Sequence, residues 1–307
     1  MYAVSLKFCS VSLYLAKKPP VLGHSRKLKQ EGGNNMIPQR RFALSSSDTA
    51  PVTAPILLTG DIANNIGDAA HIGYLGLEVH TRETAPLNYD EIMSACEAHG
   101  VAIAAVVTGR LSAQGQVNLM DDRPYITDTA IKGMLGYLEM AVRLKTNIIV
   151  GWVRGKIPDG QKAEPYMERL AQNLRIVCKQ AKEEGVKIFL EAINRYEANA
   201  LNTARETLDF INAWEIPNSY VHLDTFHMNI EETDPIEAIR MCGKKLGYFH
   251  VSDNTRCYPG SGALDFGRYL SALDEIGYQG YISVECLPKP DGKTAAKRAL
   301  DHLLQCN

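Results

Sequence analysis

From Arg40 onward the chain alternates short apolar or β-branched runs with longer stretches of helical periodicity, and it does so eight times. The predicted strands cover 42–45, 76–79, 101–107, 147–150, 187–191, 221–224, 246–250 and 281–285. The helical stretches between and after them cover about 61–73, 89–99, 125–144, 163–184, 203–214, 234–243, 265–276 and 293–304. Gly73, Gly100, Gly185 and Gly277 stand where helices must stop before the next strand, and Thr203 and Asp265 stand where N-caps belong. Eight β-then-α units, with strands short and apolar enough to be buried on both faces, predict an α/β fold closed into a single (β/α)8 TIM barrel. The competing open, doubly wound sheet lacks its phosphate-binding marks, because no GxGxxG or Walker A sequence follows any strand.

Charge divides the chain in two. Residues 1–35 carry six basic side chains (Lys7, Lys17, Lys18, Arg26, Lys27, Lys29) against Glu31 alone, which leaves 27 basic against 34 acidic groups in residues 36–307. An acidic body is poorly suited to a polyanion bound through Lys and Arg, so nucleic acid is not expected as a partner. No apolar run approaches the roughly 20 residues that span a bilayer, so no membrane partner is expected either. Residues 1–35 read as a disordered, non-conforming N-terminal extension and 36–307 as the catalytic barrel, with Met36 as the functional start; the basic and apolar order does not match a signal peptide. The seven scattered cysteines contain no CxxC, which fits free thiols in the cytoplasm.

In such barrels the reactive groups stand at the C-terminal ends of the strands. The last four predicted strands end in Glu191, Asp224, His250 and Glu285, spaced 33, 26 and 35 residues apart, each about one β/α unit. A single acid at a strand end is usually a helix cap or loop anchor. Four such groups converging on one mouth repel one another unless a cation joins them. Three carboxylates and one imidazole suit one divalent ion such as Mn²⁺, Mg²⁺ or Co²⁺.

The residues around these ends carry a resemblance. FLEAINRYE (189–197), LDTFHMNIEE (223–232), FHVSDNTR (249–256) and ISVEC (282–286) resemble the ketose 3-epimerases of the xylose-isomerase-like barrel superfamily, which include tagatose and psicose 3-epimerases. GWVRG (151–155) and VECLP (284–288) are closer to the 5-keto-L-gluconate epimerase branch. The resemblance spans about residues 40–305. It implies that Glu191, Asp224, His250 and Glu285 bind the metal, that Glu191 and Glu285 double as the acid/base pair, and that Glu197, His227 and Arg256 hold substrate oxygens.

The chemistry implied is deprotonation next to a carbonyl and reprotonation on the opposite face through an enediolate, in a ketose or keto-sugar acid. The same residues could shuttle a proton between C1 and C2, as in an aldose–ketose or hydroxypyruvate-type isomerase. Arg110, Arg154 and Arg256 all fall near the mouth. Unless they are paired to loop acids such as Asp121, Asp122 or Asp159, they favour an acid end on the substrate. Trp152 either stacks on a sugar or packs at its strand end. His80 reads as a hydrogen-bonded supporting residue, His222 as a packed and satisfied interior histidine, and Cys286 as core. An apurinic-site endonuclease of the same barrel type would need further histidines where Val107-Thr108 and Asp253-Asn254-Thr255 stand. A non-catalytic sugar- or metal-binding barrel is the third reading. The expected partners are a small sugar or sugar acid and, by analogy, a second or fourth copy of the chain, as homodimer or homotetramer.

Overall fold

A computed structural model of the chain describes residues 40–113 and 117–306. The extension read over residues 1–35 lies outside the described residues. Among the described residues nine strands form one parallel sheet: β1 (Arg41–Ser47), β2 (Leu58–Thr59), β3 (Gly76–Val79), β4 (Ala102–Val107), β5 (Ile148–Val150), β6 (Ile188–Glu191), β7 (Ser219–Asp224), β8 (Leu246–Val251) and β9 (Tyr281–Val284). β1 pairs with both β3 and β9, so the sheet closes, while the two-residue β2 is an extra pairing alongside β1. The eight closing strands are the eight predicted ones, with ends shifted by one or two residues.

The helices follow the same logic. Thr203 accepts a hydrogen bond from Glu206 N–H at the start of helix Ala204–Ala213, and Asp265 accepts one from Arg268 N–H before Phe266–Glu275. Gly73 and Gly100 end their helices in the left-handed conformation, and Gly185 and Gly277 also have positive φ just past theirs. Glycine adopts that region without the Cβ clash that penalises other residues. The helices bury their apolar faces against the outer side of the strands, forming a core that includes Leu44, Leu77, Ile148, Leu190, Val221 and Phe249. Cys286 lies in that core, as expected.

Inside the barrel, a second cluster fills the N-terminal end: Ala43, Ala104, Ala105, Val107, Ile149, Phe189 and Tyr248. Phe189 stacks on Tyr248 with ring centroids 5.5 Å apart. Two short helices, Gly109–Ala113 and Thr225–Glu231, and the 3₁₀ turn Trp152–Arg154 occupy βα connections read as loops from the sequence. Among the described residues no helix is long and apolar enough to cross a membrane, and the six described cysteines are free.

Candidate metal centre at the C-terminal mouth

Strand register decides whether the four strand-end groups can meet. Glu191 on β6 is level with His222 on β7, Asp224 is level with His250 on β8, and His250 is level with Ser283 on β9. Reaching Glu285 from Glu191 therefore means climbing two residues twice. A tilted eight-stranded barrel staggers by about one residue per strand, so a climb of this size keeps all four groups near one height on the barrel axis. Irregularities in the pairing at Leu77/Glu78 and Val221/His222 fall beside site residues, where bulges re-aim side chains.

The carboxylates and His250 converge. His250 Nδ1 lies 3.7 Å from Asp224 Oδ2 and 3.5 Å from Glu285 Oε2, too far for hydrogen bonds, and it is a buried atom with no partner. Its other nitrogen, Nε2, is 2.7 Å from Glu78 Oε2. With Nε2–H donating to that carboxylate, Nδ1 faces the two acids. Burial lowers the pKa of the imidazole, but Glu78 and Glu285 more than offset it and raise it well above its usual range. A metal ion held at Nδ1 would therefore displace a proton there while Glu78 orients the ring from behind. Glu78 Oε1 also lies 2.6 Å from His80 Nε2, so one fully buried carboxylate braces both histidines. His80 takes the supporting role expected of it. Glu78 was not singled out from the sequence. The signal was there: an acid in the middle of a four-residue strand buried throughout must have a partner.

Asp224 has two tasks. Its Oδ1 accepts from Phe226 N–H at 2.7 Å and caps helix Thr225–Glu231, while its Oδ2 faces the cluster. The capping and ligand readings of a strand-end acid are thus compatible. Arg256 spans the other side: Nη1 donates to Asp224 Oδ2 at 2.5 Å and Nη2 to Glu285 Oε2. Around Glu191, Gly151 leaves room for the carboxylate: a Cβ there would stand 2.7 Å from Glu191 Oε2 and would have to displace it. His227 Nε2 is 3.6 Å from Glu191 Oε1, and Asn194 Nδ2 lies 2.7 Å from His227 Nδ1 and 3.0 Å from Glu197 Oε1. Asn194 thereby ties two expected substrate-binding residues into one unit.

The two glutamates sit in unlike fields. Burial, and then the charge of Glu285, raise the Glu191 carboxyl to about 8. Burial acts on Glu285 in the same direction, but Arg256 and His250 more than offset it and hold that carboxyl below its usual range.

The remaining residues sort differently. Trp152, half exposed in its 3₁₀ turn, lines a cavity of about 580 Å³ with Arg123, Arg154, Lys156, Tyr196 and Glu197. The carboxylate cluster is not part of that lining; Arg154 joins the two, since it donates through Nη1 to the Glu191 backbone carbonyl. Arg154 is fully buried, and its Nε and Nη2 have no partner. Arg110 does not reach this cavity. It is held by Asp48 (2.8 Å), Ser47 Oγ and Thr49, so its acid is one that the sequence did not point to. His222 faces the interior as expected but is not satisfied: both ring nitrogens lack partners, and it packs edge-on to His250 (4.2 Å) and Tyr248 (5.4 Å). Burial and the neighbouring His250 keep it neutral, which lowers the cost of the missing bonds. Among the described residues, three overlapping groups of ligand atoms each lie within 4.8 Å: Glu191–His222–His250, Glu78–His250–Glu285 and Glu191–Asp224–His227.

A closed (β/α)8 barrel with an acidic, metal-competent C-terminal mouth is the class of protein that these features define. Residues 66–306 match the family model described as xylose isomerase-like TIM barrel, and the chain belongs to that family. It is 39% identical over 131 residues to the L-ribulose 3-epimerase of Methylomonas sp. (strain DH-1), covering 43% of this chain and 46% of that one. It is 34% identical over 223 residues to the D-psicose 3-epimerase of Ruminiclostridium cellulolyticum, covering 70% and 75%. The chain thus spans less than half the length of the first relative and three quarters of the second. A solved L-ribulose 3-epimerase structure superposes with a TM-score of 0.76 at 23% identity, covering 87% of this chain and 96% of that one, which speaks for the fold.

Proposed function

We propose that the protein is a divalent-metal-dependent sugar epimerase acting on a ketose or keto-sugar acid. The observation that carries this reading is the unpartnered Nδ1 of His250, buried between Asp224 Oδ2 and Glu285 Oε2 and braced from behind by Glu78. Glu191, Asp224, His250 and Glu285 would hold the ion, with Mn²⁺, Mg²⁺ and Co²⁺ suited to so oxygen-rich a set. Bound there, it would polarise the substrate carbonyl and lower the acidity barrier of the adjacent C–H.

The protein's own groups account for the stereochemistry. One of Glu191 and Glu285, brought in on β6 and β9, removes the proton from one face of the carbon next to the carbonyl. The other returns a proton to the opposite face, and the reverse reaction exchanges their roles. His227, held by Asn194, and Arg256 are placed to hydrogen-bond substrate oxygens as negative charge develops. Glu197, Trp152 and Arg154 line the adjoining cavity and would hold the remainder of the sugar. The buried guanidinium of Arg154, with Lys156 beside it, supports an acid end on the substrate; Arg123 is paired to Asp121 and Arg110 to Asp48, so neither adds to that case. The L-ribulose and D-psicose 3-epimerases among the relatives support inversion at C3.

Proton NMR in D₂O against a panel of ketoses and keto-sugar acids tests the proposal. Deuterium is expected at C3 or C4 of one compound with Mg²⁺ or Mn²⁺ present, and exchange should stop with chelator. Deuterium at C1 would instead establish the aldose–ketose isomerase. No exchange with any compound would overturn both.

A further inference from the structure

The guanidinium of Arg256 holds the same two oxygen atoms toward which His250 Nδ1 points. Asp224 Oδ2 and Glu285 Oε2 are the acceptors of Nη1 and Nη2, and they are also the carboxylate oxygens nearest His250 Nδ1. A planar fork that bridges two carboxylates satisfies lone pairs that a metal ion would otherwise take. We infer that Arg256 is a built-in lock on the metal centre, holding it closed while no ion is bound and giving up Asp224 and Glu285 when an ion enters. This inference rests on the metal reading proposed above.

Three features make the lock a property of the fold rather than of one wandering side chain. The Arg256 backbone is in the left-handed region (φ 61°), which a non-glycine residue adopts only where its surroundings enforce it. Those surroundings are visible: Arg256 N–H donates to the Asp253 carbonyl at 2.8 Å, and the Arg256 carbonyl accepts from Leu287 N–H at 2.8 Å. Asp253 in turn accepts from the backbone N–H groups of Asn254, Gly260, Gly262 and Leu264, which pins the whole loop. The side chain also has other contacts. Ser252 Oγ is 3.2 Å from Nη1, and the guanidinium carbon lies 5.0 Å from the Phe226 ring centroid.

Charge explains why a lock is needed and why it can open. Glu78, Glu191, Asp224 and Glu285 are all buried, and without a cation among them the mouth would be held apart by repulsion. The Arg256 guanidinium, bridging Asp224 and Glu285, relieves this. A divalent ion would carry twice the charge and could also take His250 Nδ1 as a ligand, whereas the Arg256 fork is already committed to Asp224 and Glu285. Were the carboxylates committed to an ion, like-charge repulsion would favour release of the guanidinium from them. The closed lock therefore reduces the apparent metal affinity to the intrinsic affinity multiplied by the fraction of molecules in which the carboxylates are free.

Mn²⁺ titration calorimetry on chelator-stripped wild-type protein, Arg256→Met and Arg256→Lys tests this directly, with melting temperature of each metal-free form as a second reading. Arg256→Met keeps the stem and removes the fork, and should bind Mn²⁺ at least fivefold more tightly than wild type while its metal-free form melts lower. Arg256→Lys, whose single ammonium is a poor bridge, should fall between; if the Met variant does not fold, the Lys variant carries the comparison. Equal or weaker Mn²⁺ binding by folded variants overturns the lock but leaves the metal centre standing. No Mn²⁺ binding by the wild-type protein overturns the metal centre, and the lock with it.

Discussion

At the floor of the barrel, Phe189 stacks on Tyr248 among alanines; two residues further along the same two strands, Glu191 and His250 stand among three further carboxylates (Glu78, Asp224, Glu285), three further histidines (His80, His222, His227) and Arg256. The alternation of a strand places residues i and i+2 on one face, so both pairs point into the barrel and differ only in height. The floor is stabilised chiefly by apolar burial and aromatic stacking. The mouth keeps charge out of water, and it is tolerable only through the bridging contacts of Glu78 and Arg256. One end of the same cylinder is built for stability and the other for chemistry.

That contrast can be broken or sharpened by substitution. Glu191→Gln or Glu285→Gln should reduce turnover by about 10³-fold or more, in the upper range for loss of a general acid or base, while the melting temperature stays within a few degrees of wild type. Turnover near wild type in either variant would remove that residue from the proton-transferring pair. Phe189→Ala at the floor should do the reverse. Its cavity is expected to cost about 3–5 kcal/mol in denaturant unfolding, with Mn²⁺ affinity unchanged in the protein that remains folded. A floor substitution that also weakened metal binding would show the two ends to be coupled. Glu78→Gln should have the smallest effect, about 10- to 100-fold on Mn²⁺ affinity by calorimetry, because it removes the brace from His250 without removing a ligand.

The barrel was legible because its signals are local and repeated. Each strand is a short apolar run, each helix end carries a glycine or a capping side chain, and the count of eight follows from reading along the chain. The four strand-end groups were legible for the same reason: position in a unit gave position in space. What escaped depends on contacts between units. Glu78 meets His250 across 172 positions of sequence, and Arg110 meets Asp48 across 62. Neither pairing follows from periodicity. His222 was placed correctly in the interior, but its lack of partners depends on how His250 and Tyr248 pack around it. The short helix after β7 was missed because the sequence gives Asp224 one position, whereas its two oxygens have separate partners.

The closure of β1 onto β9 has a consequence for how the protein acquires its centre. Glu191 and Glu285 arrive on β6 and β9, and Glu78, which steadies His250, on β3; β3 and β9 become neighbours of one strand, β1, only when the ring shuts. A chain that has made every local β/α unit but not this last seam holds the ligands and not their brace. Long-range pairing of this kind is slow to form, because loop entropy is lost before the contact gives anything back. An ion that recognises the finished arrangement adds its binding free energy to the closed state alone. Metal concentration would then act on the fraction of chains that have completed the ring, well before any substrate is turned over.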